Sequence, residues 1–456
     1  MPLPNQAIAK VRAEKSSSAS DENPLTHWRT SLATAILPPM ARTTKTRLIF
    51  GAMTGTSIDA IDIAAVRVAG RGLNIRSTLI GQSSAPLGEL TRRLRDAQRQ
   101  LPLTVGELAT MSRDLALAHL PPLRELARSH GNPDLVAVHG QTLYHQPPVS
   151  LQLIDPTVIA QEMGCDVVCN LRGADLAAGG QGAPITPLSD WIMFRTRNAW
   201  RAVVNLGGFS NATILPASPA HGPRAANGKP ANSVAANREE WIAQVRGFDL
   251  CLCNQLLDHL ARSMAGIPFD DGGRLALAGR INPTAVEAVR ILLDQQRLSG
   301  RSLGTSDEIV EQSMAHLSQL TPPDALATAC EAIAMTIARA LDAQRGDEGD
   351  RRPMRVLVAG GGVRNAGLMN ALRGAISGSL ATTDQYGIPV DARESIAMAL
   401  LGALASDGVS ITLPRVTGRG SIRSVDGAFL RAFLANGERF TNSSHNSTAE
   451  GLFVHP

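Results

Sequence analysis

Residues 51–62 read Gly-Ala-Met-Thr-Gly-Thr-Ser-Ile-Asp-Ala-Ile-Asp, directly after the apolar Leu48, Ile49 and Phe50. That composition suits a phosphate. Gly51 and Gly55 carry no Cβ to hold backbone N–H groups away from an anion. Thr54, Thr56 and Ser57 add hydroxyl donors, and Asp59 or Asp62 is available for the Mg²⁺ that escorts a triphosphate. Read alone, the segment is equally a tight turn between strands, because Ile61, Ile63, Ala65 and Val66 resume an apolar run.

Further segments have the same style. His139, Gly140, Gln141 and Thr142 give a strand-like run a polar tip, or simply a polar turn. Arg172 and Asp175 stand before the glycine-rich stretch 179–184, as site residues or as a structural ion pair. Asn205 leads into Gly207 and Gly208, with Ser210 and Asn211 beyond: a second phosphate-facing hairpin. Val358 and Ala359 end in Gly360, Gly361 and Gly362, which permits flat contact with a base, ribose or phosphate. A dinucleotide fingerprint competes for that last segment, with Asp384 as ribose ligand. It lacks its third glycine and leaves 51–62 unexplained.

Two carboxylates complete the set. Asp249 lies just before a helix-like run at 255–261, placed as a general base or as a helix cap. Glu394 opens the apolar run 396–404 and is either a site residue or a first-turn acid on the helix dipole.

These segments need a scaffold of strands and helices. Strand-like runs at 47–50, 61–68, 135–138, 166–171, 202–206 and 355–359 alternate with helical stretches. The clearest helix spans about 323–345, with Leu326, Cys330, Ile333, Ile337 and Leu341 on one face and Pro322 and Pro323 at its start. Alternation of this kind predicts an α/β chain with helices over sheets. Its 456 residues allow about two to three domains. No internal repeat is visible. Residues 1–46 read as a disordered tail, with Met40 as an alternative start, and 436–456 as a polar tail. Residues 216–240 read as a mobile insertion.

Composition excludes several classes. At 3% aromatic, the chain has no basic surface interleaved with aromatics, so nucleic acid is not an expected partner. Its five cysteines suit a reducing compartment, and their spacing matches no zinc arrangement. No apolar run approaches the ~20 residues that span a bilayer, and no secretory core is present. The expectation is a cytoplasmic protein without membrane contact.

Taken in order, the segments resemble the anhydro-N-acetylmuramic acid kinase family. The likeness runs from about residue 47 to 430 through 51–62, 139–142, 155–156, 172–187, 205–211, 247–249, 360–365, 383–389 and 416–418. It implies a two-domain actin-like ATPase fold of the acetate and sugar kinase type, divided here as 47–175 and 176–435, with ATP in the cleft. It also implies the reaction. Water opens the 1,6-anhydro ring of anhydro-N-acetylmuramic acid and O6 is phosphorylated, with ATP and Mg²⁺, which salvages cell-wall sugar.

On the same resemblance, Asp249 is the general base. Gly55, Thr56, Ser57, Ile58, Asp59, Ala60, Ile61 and Asp62 cradle the phosphates, with Gly207 and Gly208 opposite. Gly360, Gly361 and Gly362 lie near the adenosine. His139, Gln141, Arg172, Asp175 and Glu394 contact the sugar or support those contacts. A homodimer is a further implication.

The chain departs from the family pattern in four places. Cys251-Leu252-Cys253 stands where Gly-Pro-Gly is usual, Ala60 where Gly is, and Asn170 where Asp is. Arg274-Leu275 interrupts an Ala-Trp pair. If the lost glycines require φ > 0, each replacement costs about 1–2 kcal/mol beside the base. An alternative therefore stays open: a nucleotide-binding sugar sensor or scaffold of the same fold with impaired transfer. The departures are expected to cluster on the sugar side.

Overall fold

A computed structural model of the chain describes residues 46–55, 58–217, 234–298, 307–344, 354–421 and 425–432. Thirteen strands are found among them: β1 Arg47–Thr54, β2 Ala60–Ala69, β3 Arg76–Pro86, β4 Leu135–Val138, β5 Gln141–Gln146, β6 Val149–Leu153, β7 Asp166–Cys169, β8 Trp200–Leu206, β9 Phe209–Leu215, β10 Arg246–Leu252, β11 Met354–Ala359, β12 Ser379–Thr382 and β13 Ala428–Leu430. They build two large sheets, in the orders β13-β7-β4-β1-β2-β3 and β10-β9-β8-β11-β12, and a small β5-β6 hairpin.

The large sheets share one topology. In the first, β1, β2 and β3 form an antiparallel meander, while β4 and β7 add in parallel on the other side of β1. In the second, β8, β9 and β10 repeat the meander, and β11 and β12 add in parallel beside β8. The repeat absent from the sequence is present in the connectivity.

Alternation along the strands divides the apolar residues among three cores. Phe50, Ala52, Ile61, Ile63 and Val138 bury the outer face of the first sheet. Ala202, Val204, Val356 and Val358 bury that of the second, beneath the helix Pro322–Asp342. That helix keeps Leu326, Cys330, Ile333, Ile337 and Leu341 buried, and Thr321 caps its start by accepting from the Asp324 N–H. A middle core joins Ile49, Val66 and Ala137 of the first sheet to Val203 and Leu357 of the second through the helices Pro187–Phe194 and Arg393–Ser406.

The helix Arg393–Ser406 is rich in alanine and lies against β1, β2 and β4. Its approach depends on Gly51. A Cβ there would stand 2.0 Å from the Ser395 carbonyl and 2.4 Å from the Ala399 N–H. Gly51 is buried mid-strand, so its role is packing and not contact with an anion.

Division of the chain at 175/176 differs from the sheets at the C-terminal end, because β13 pairs with β7 and the helix Arg393–Ser406 covers the first sheet. The two tails and residues 218–233 of the expected insertion lie outside the described residues. The end of that insertion is a helix, Val234–Ile242. Trp241 meets Trp191 edge-on at 5.3 Å and donates to the Pro216 carbonyl at 2.8 Å, anchoring this part to the middle core.

Candidate active site

The β1–β2 and β8–β9 turns occupy equivalent places in their sheets, and both are the expected glycine hairpins. After Gly55 the first turn closes with the Ile58 N–H donating to the Gly55 carbonyl at 3.2 Å. Thr56 and Ser57 lie outside the described residues. Ile58 sits at φ 53°, an unusual conformation for a β-branched residue, and its side chain is fully buried. Ile61 is buried too. Among the described residues 58–62, the side chains not buried are those of Asp59, Ala60 and Asp62. Ala60 already belongs to β2 and is paired with Pro86, so no glycine is required there.

The second turn is anchored. The Gly207 carbonyl accepts from the Asn254 N–H at 3.0 Å, and the Gly208 carbonyl accepts from the N–H groups of Cys253 and Gln255 at 3.0 and 3.2 Å. The hairpin thus rests on the start of the helix Asn254–Ala265, and Asn254 Nδ2 donates to the Leu206 carbonyl at 3.2 Å. Gly360 ends β11 at φ 86°, and a Cβ there would lie 2.8 Å from Asn205 Oδ1 and 2.9 Å from the Leu206 carbonyl. Gly362 presses on Leu206 and Asn254. Gly207, Gly208, Gly360, Gly361 and Gly362 therefore form one continuous glycine wall.

Charge links the two turns. Burial raises the Asp62 carboxyl, a Ser84 hydrogen bond opposes the rise, and Asp59 and Asp391 add to it. Burial pushes Asp258, on the helix behind the second turn, up to about 6, with Asp59 adding to the rise. Among the described residues no group of three His, Cys, Asp or Glu is arranged to hold a metal by itself. A divalent ion carried by phosphates and waters needs only one or two carboxylates. Asp59 and Asp62, repelling each other, fit that part.

Beside this lies a polar cluster around Arg172. Its Nε donates to His139 Nε2 at 3.0 Å, and its Nη1 donates to the Gly182 carbonyl at 2.5 Å. His139 Nδ1 faces the Gly140 carbonyl at 2.9 Å. The network assigns the proton to Nδ1 and leaves Nε2 as acceptor. Burial, then the Arg172 charge, push this imidazole down to about 3, so it stays neutral. Burial also lowers Arg172 to about 10, while Asp249, Glu394 and Asp175 oppose the shift. The charges of these three carboxylates thus reach the guanidinium, and Asp175 shares Gly182 with it, taking the N–H where Arg172 takes the carbonyl.

Those three differ in what they do. Asp175 is fully buried and fully bonded: Oδ2 accepts from the Gly182 N–H at 2.7 Å and Oδ1 from Thr417 Oγ1 at 2.7 Å. It ties the glycine loop to 417–419 and has no face for a sugar. Burial raises the Glu394 carboxyl, which hydrogen-bonds the Asn205 side chain. Asp249 is partly exposed on β10 opposite Asn211, and the register shifts between Asp249 and Cys251. Such bulges re-aim side chains at functional sites. Gln141 is buried, and its Oε1, with Thr54 Oγ1 and Asn205 Oδ1, has no partner within the protein.

Three of the four departures need no left-handed backbone. Among the described residues the non-glycines at positive φ are Ile58, Gln100 and Asn170, so Cys251, Leu252 and Cys253 are not among them. Cys253 has φ −134°. Cys251 packs against Ser210 Oγ at 3.4 Å, and burial pushes its thiol up to about 12. Asn170 at φ 50° is a residue type that tolerates that region. Arg274 and Leu275 bond Asp271 and Asp270 and not the residues around Arg172. The preceding Gly273 would place a Cβ 2.2 Å from Asn365 Oδ1, behind the glycine wall. The sequence placed Asn205 in the second hairpin without a role of its own and gave no sign of Asn254 or the pair Arg393–Asp190, whose roles depend on contacts across the fold.

Two sheets that repeat one meander-plus-parallel topology, each with a glycine turn between its first two strands, and a buried charge cluster, define an actin-like ATPase of the sugar kinase type. The chain belongs to the anhydro-N-acetylmuramic acid kinase family, whose profile matches residues 47–431. It is similar to the anhydro-N-acetylmuramic acid kinase of Synechococcus elongatus, 33% identical over 81% of this chain and 96% of the relative. It is similar also to that of Paraburkholderia xenovorans, 30% identical over 86% and 100%. Among solved structures, the activator of the 2-hydroxyisocaproyl-CoA dehydratase from Clostridium difficile reaches TM-score 0.37 at 13% identity, covering 78% of this chain and 94% of that one. That likeness is too loose to bear on the site.

Proposed function

We propose that the protein phosphorylates 1,6-anhydro-N-acetylmuramic acid with ATP, opening the anhydro ring with water and giving the 6-phosphate. The observation that carries this reading is the buried network in which Arg172 is held by His139 and the Gly182 carbonyl, with the charges of Asp249, Glu394 and Asp175 acting on its guanidinium. Asp249 takes a proton from the water whose oxygen bonds to the anomeric carbon. The bond from that carbon to O6 breaks, O6 bonds to the γ-phosphorus, and the bond from the γ-phosphorus to ADP breaks. A positioned base of this kind is worth about 10²–10⁴-fold.

Gly55, Gly207 and Gly208 bring backbone N–H groups to the phosphates, and Gly360, Gly361 and Gly362 take the adenosine side. Asp59 and Asp62 would hold the divalent ion, read as Mg²⁺, which neutralises phosphate charge when bound. Neutral His139 orients Arg172 through Nε2, and Arg172 balances the two site carboxylates. Gln141 and Glu394 are read as sugar contacts, Asp175 as their support.

Nothing favours the sensor alternative, since the Cys251-Leu252-Cys253 segment carries no left-handed residue. The cytoplasm and a homodimeric assembly are supported by the family resemblance; among the described residues no helix is long and apolar enough to cross a membrane. ADP release coupled to formation of the sugar 6-phosphate tests the reading. No turnover with ATP still bound would overturn it.

A further inference from the structure

Arg393 and Asp190 form a buried ion pair within the middle core. Arg393 Nε donates to Asp190 Oδ1 at 2.9 Å, and Nη2 bonds Asp190 Oδ2 and, at 3.3 Å, Thr186 Oγ1. Asp190 Oδ2 also accepts from Thr213 Oγ1 at 2.6 Å. The two residues are 203 apart in the chain.

Each group in this network belongs to an element that carries or seats a site residue. Arg393 immediately precedes Glu394 and begins the helix lying on the first sheet. Thr213, on β9 of the second sheet, is paired with Gly247, two residues before Asp249. Segment 182–190 touches all of them. Its Gly182 carbonyl holds Arg172, Pro184 and Pro187 fill the space where Gly247 lacks a Cβ, and Thr186 and Asp190 hold Arg393.

Stability alone is a poor reason for such a pair. Desolvation offsets the attraction of a buried ion pair, and apolar replacements are often neutral or better. Here Arg393 Nη1 is buried without a partner within the protein, so the network is not even complete. What a bidentate Arg–carboxylate pair supplies is geometry.

We propose that Arg393 and Asp190 are positioning residues that fix Glu394, on the first sheet's helix, against the strand of Asp249 and the loop that grips Arg172. They set the rate of transfer and do not contact nucleotide. The proposal rests on the kinase reading above.

Arg393→Lys keeps the charge and loses the bidentate geometry. Misplacement of about 1 Å can cost about 10²-fold, so kcat is expected to fall about 10–100-fold, with nucleotide Kd changed less than about twofold. In a Glu394→Gln background the same change should cost less than about threefold, because residues acting as one unit are not additive. Thr213→Val removes only the hydroxyl bond to Asp190 and should lower kcat about three- to tenfold, again with the effect lost beside Glu394→Gln. Equal losses in both backgrounds, or an unchanged kcat in Thr213→Val, would overturn the proposal. If Arg393→Lys does not fold, Thr213→Val alone decides. Turnover by the unaltered protein is measured first. Its absence overturns the kinase reading, whereas the ratio between backgrounds judges the pair.

Discussion

The β1–β2 and β8–β9 turns stand at the same place in two sheets of the same topology, yet they are built differently. The first is flanked by Asp59 and Asp62 and includes Ile58 in the left-handed region, a conformation worth about 1–3 kcal/mol of strain that persists only where the surroundings impose it. The second has both glycine carbonyls tied to the start of the helix Asn254–Ala265 and is braced by Gly360 and Gly362. One turn brings carboxylates and strain; the other brings a fixed wall. A duplicated topology thus supplies two positions, and local sequence makes one acidic and strained and the other rigid.

The comparison breaks most readily at Gly51. Gly51→Ala forces a Cβ into backbone atoms of the helix Arg393–Ser406. Overpacking typically costs about 1–3 kcal/mol, and rigid neighbours put this substitution at the upper end. Urea unfolding should show a loss of about 3 kcal/mol. A loss under about 0.5 kcal/mol would mean that the strand and helix do not meet as described.

The second wall is sharpened by Gly360→Ala set against Gly207→Ala. At Gly360 the methyl is both left-handed and crowded, so ATP affinity should fall at least about tenfold, or about 1.4 kcal/mol. At Gly207 the nearest protein atoms are 3.2 and 3.4 Å away, so a methyl there acts only through the phosphates its N–H faces, and affinity should fall less than in Gly360→Ala. Titration calorimetry with ATP reads both. Equal effects would deny the two glycines their different surroundings.

A smaller effect is expected where the turns face each other. Asp258 is raised from 3.8 to about 6 mainly by burial, with Asp59 adding to it. The folded state therefore binds this proton more tightly than the unfolded chain. Stability is lost as pH rises from about 4 through 6. Asp258→Asn should stabilise the protein by about 1 kcal/mol at pH 7, discounted for solvent screening of a half-buried group, and by almost nothing at pH 3, where the carboxyl is protonated in both states. Denaturant midpoints at the two pH values check this.

How much of this was legible follows from the range of each signal. Gly207–Gly208 and Gly360–Gly362 could be read because a strand that breaks into glycines is a local pattern. The helix Pro322–Asp342 could be read because its buried face repeats within one segment. Gly51 belonged to the same local pattern but answers to a helix some 340 residues away, so its role was misread. The return of β13 to the first sheet, the pairing of Arg393 with Asp190, and the bond from Thr417 to Asp175 are all long-range contacts. No window of sequence contains both partners.

The central claim is that Asp249, on β10 and with its charge reaching Arg172, is the base of a transfer that the glycine turns only position. Asp249→Asn tests it most directly, in single-turnover reactions with ATP and 1,6-anhydro-N-acetylmuramic acid. The account predicts unchanged ATP binding and a loss of about 10²–10⁴-fold in formation of the 6-phosphate. Full activity in that variant would contradict it.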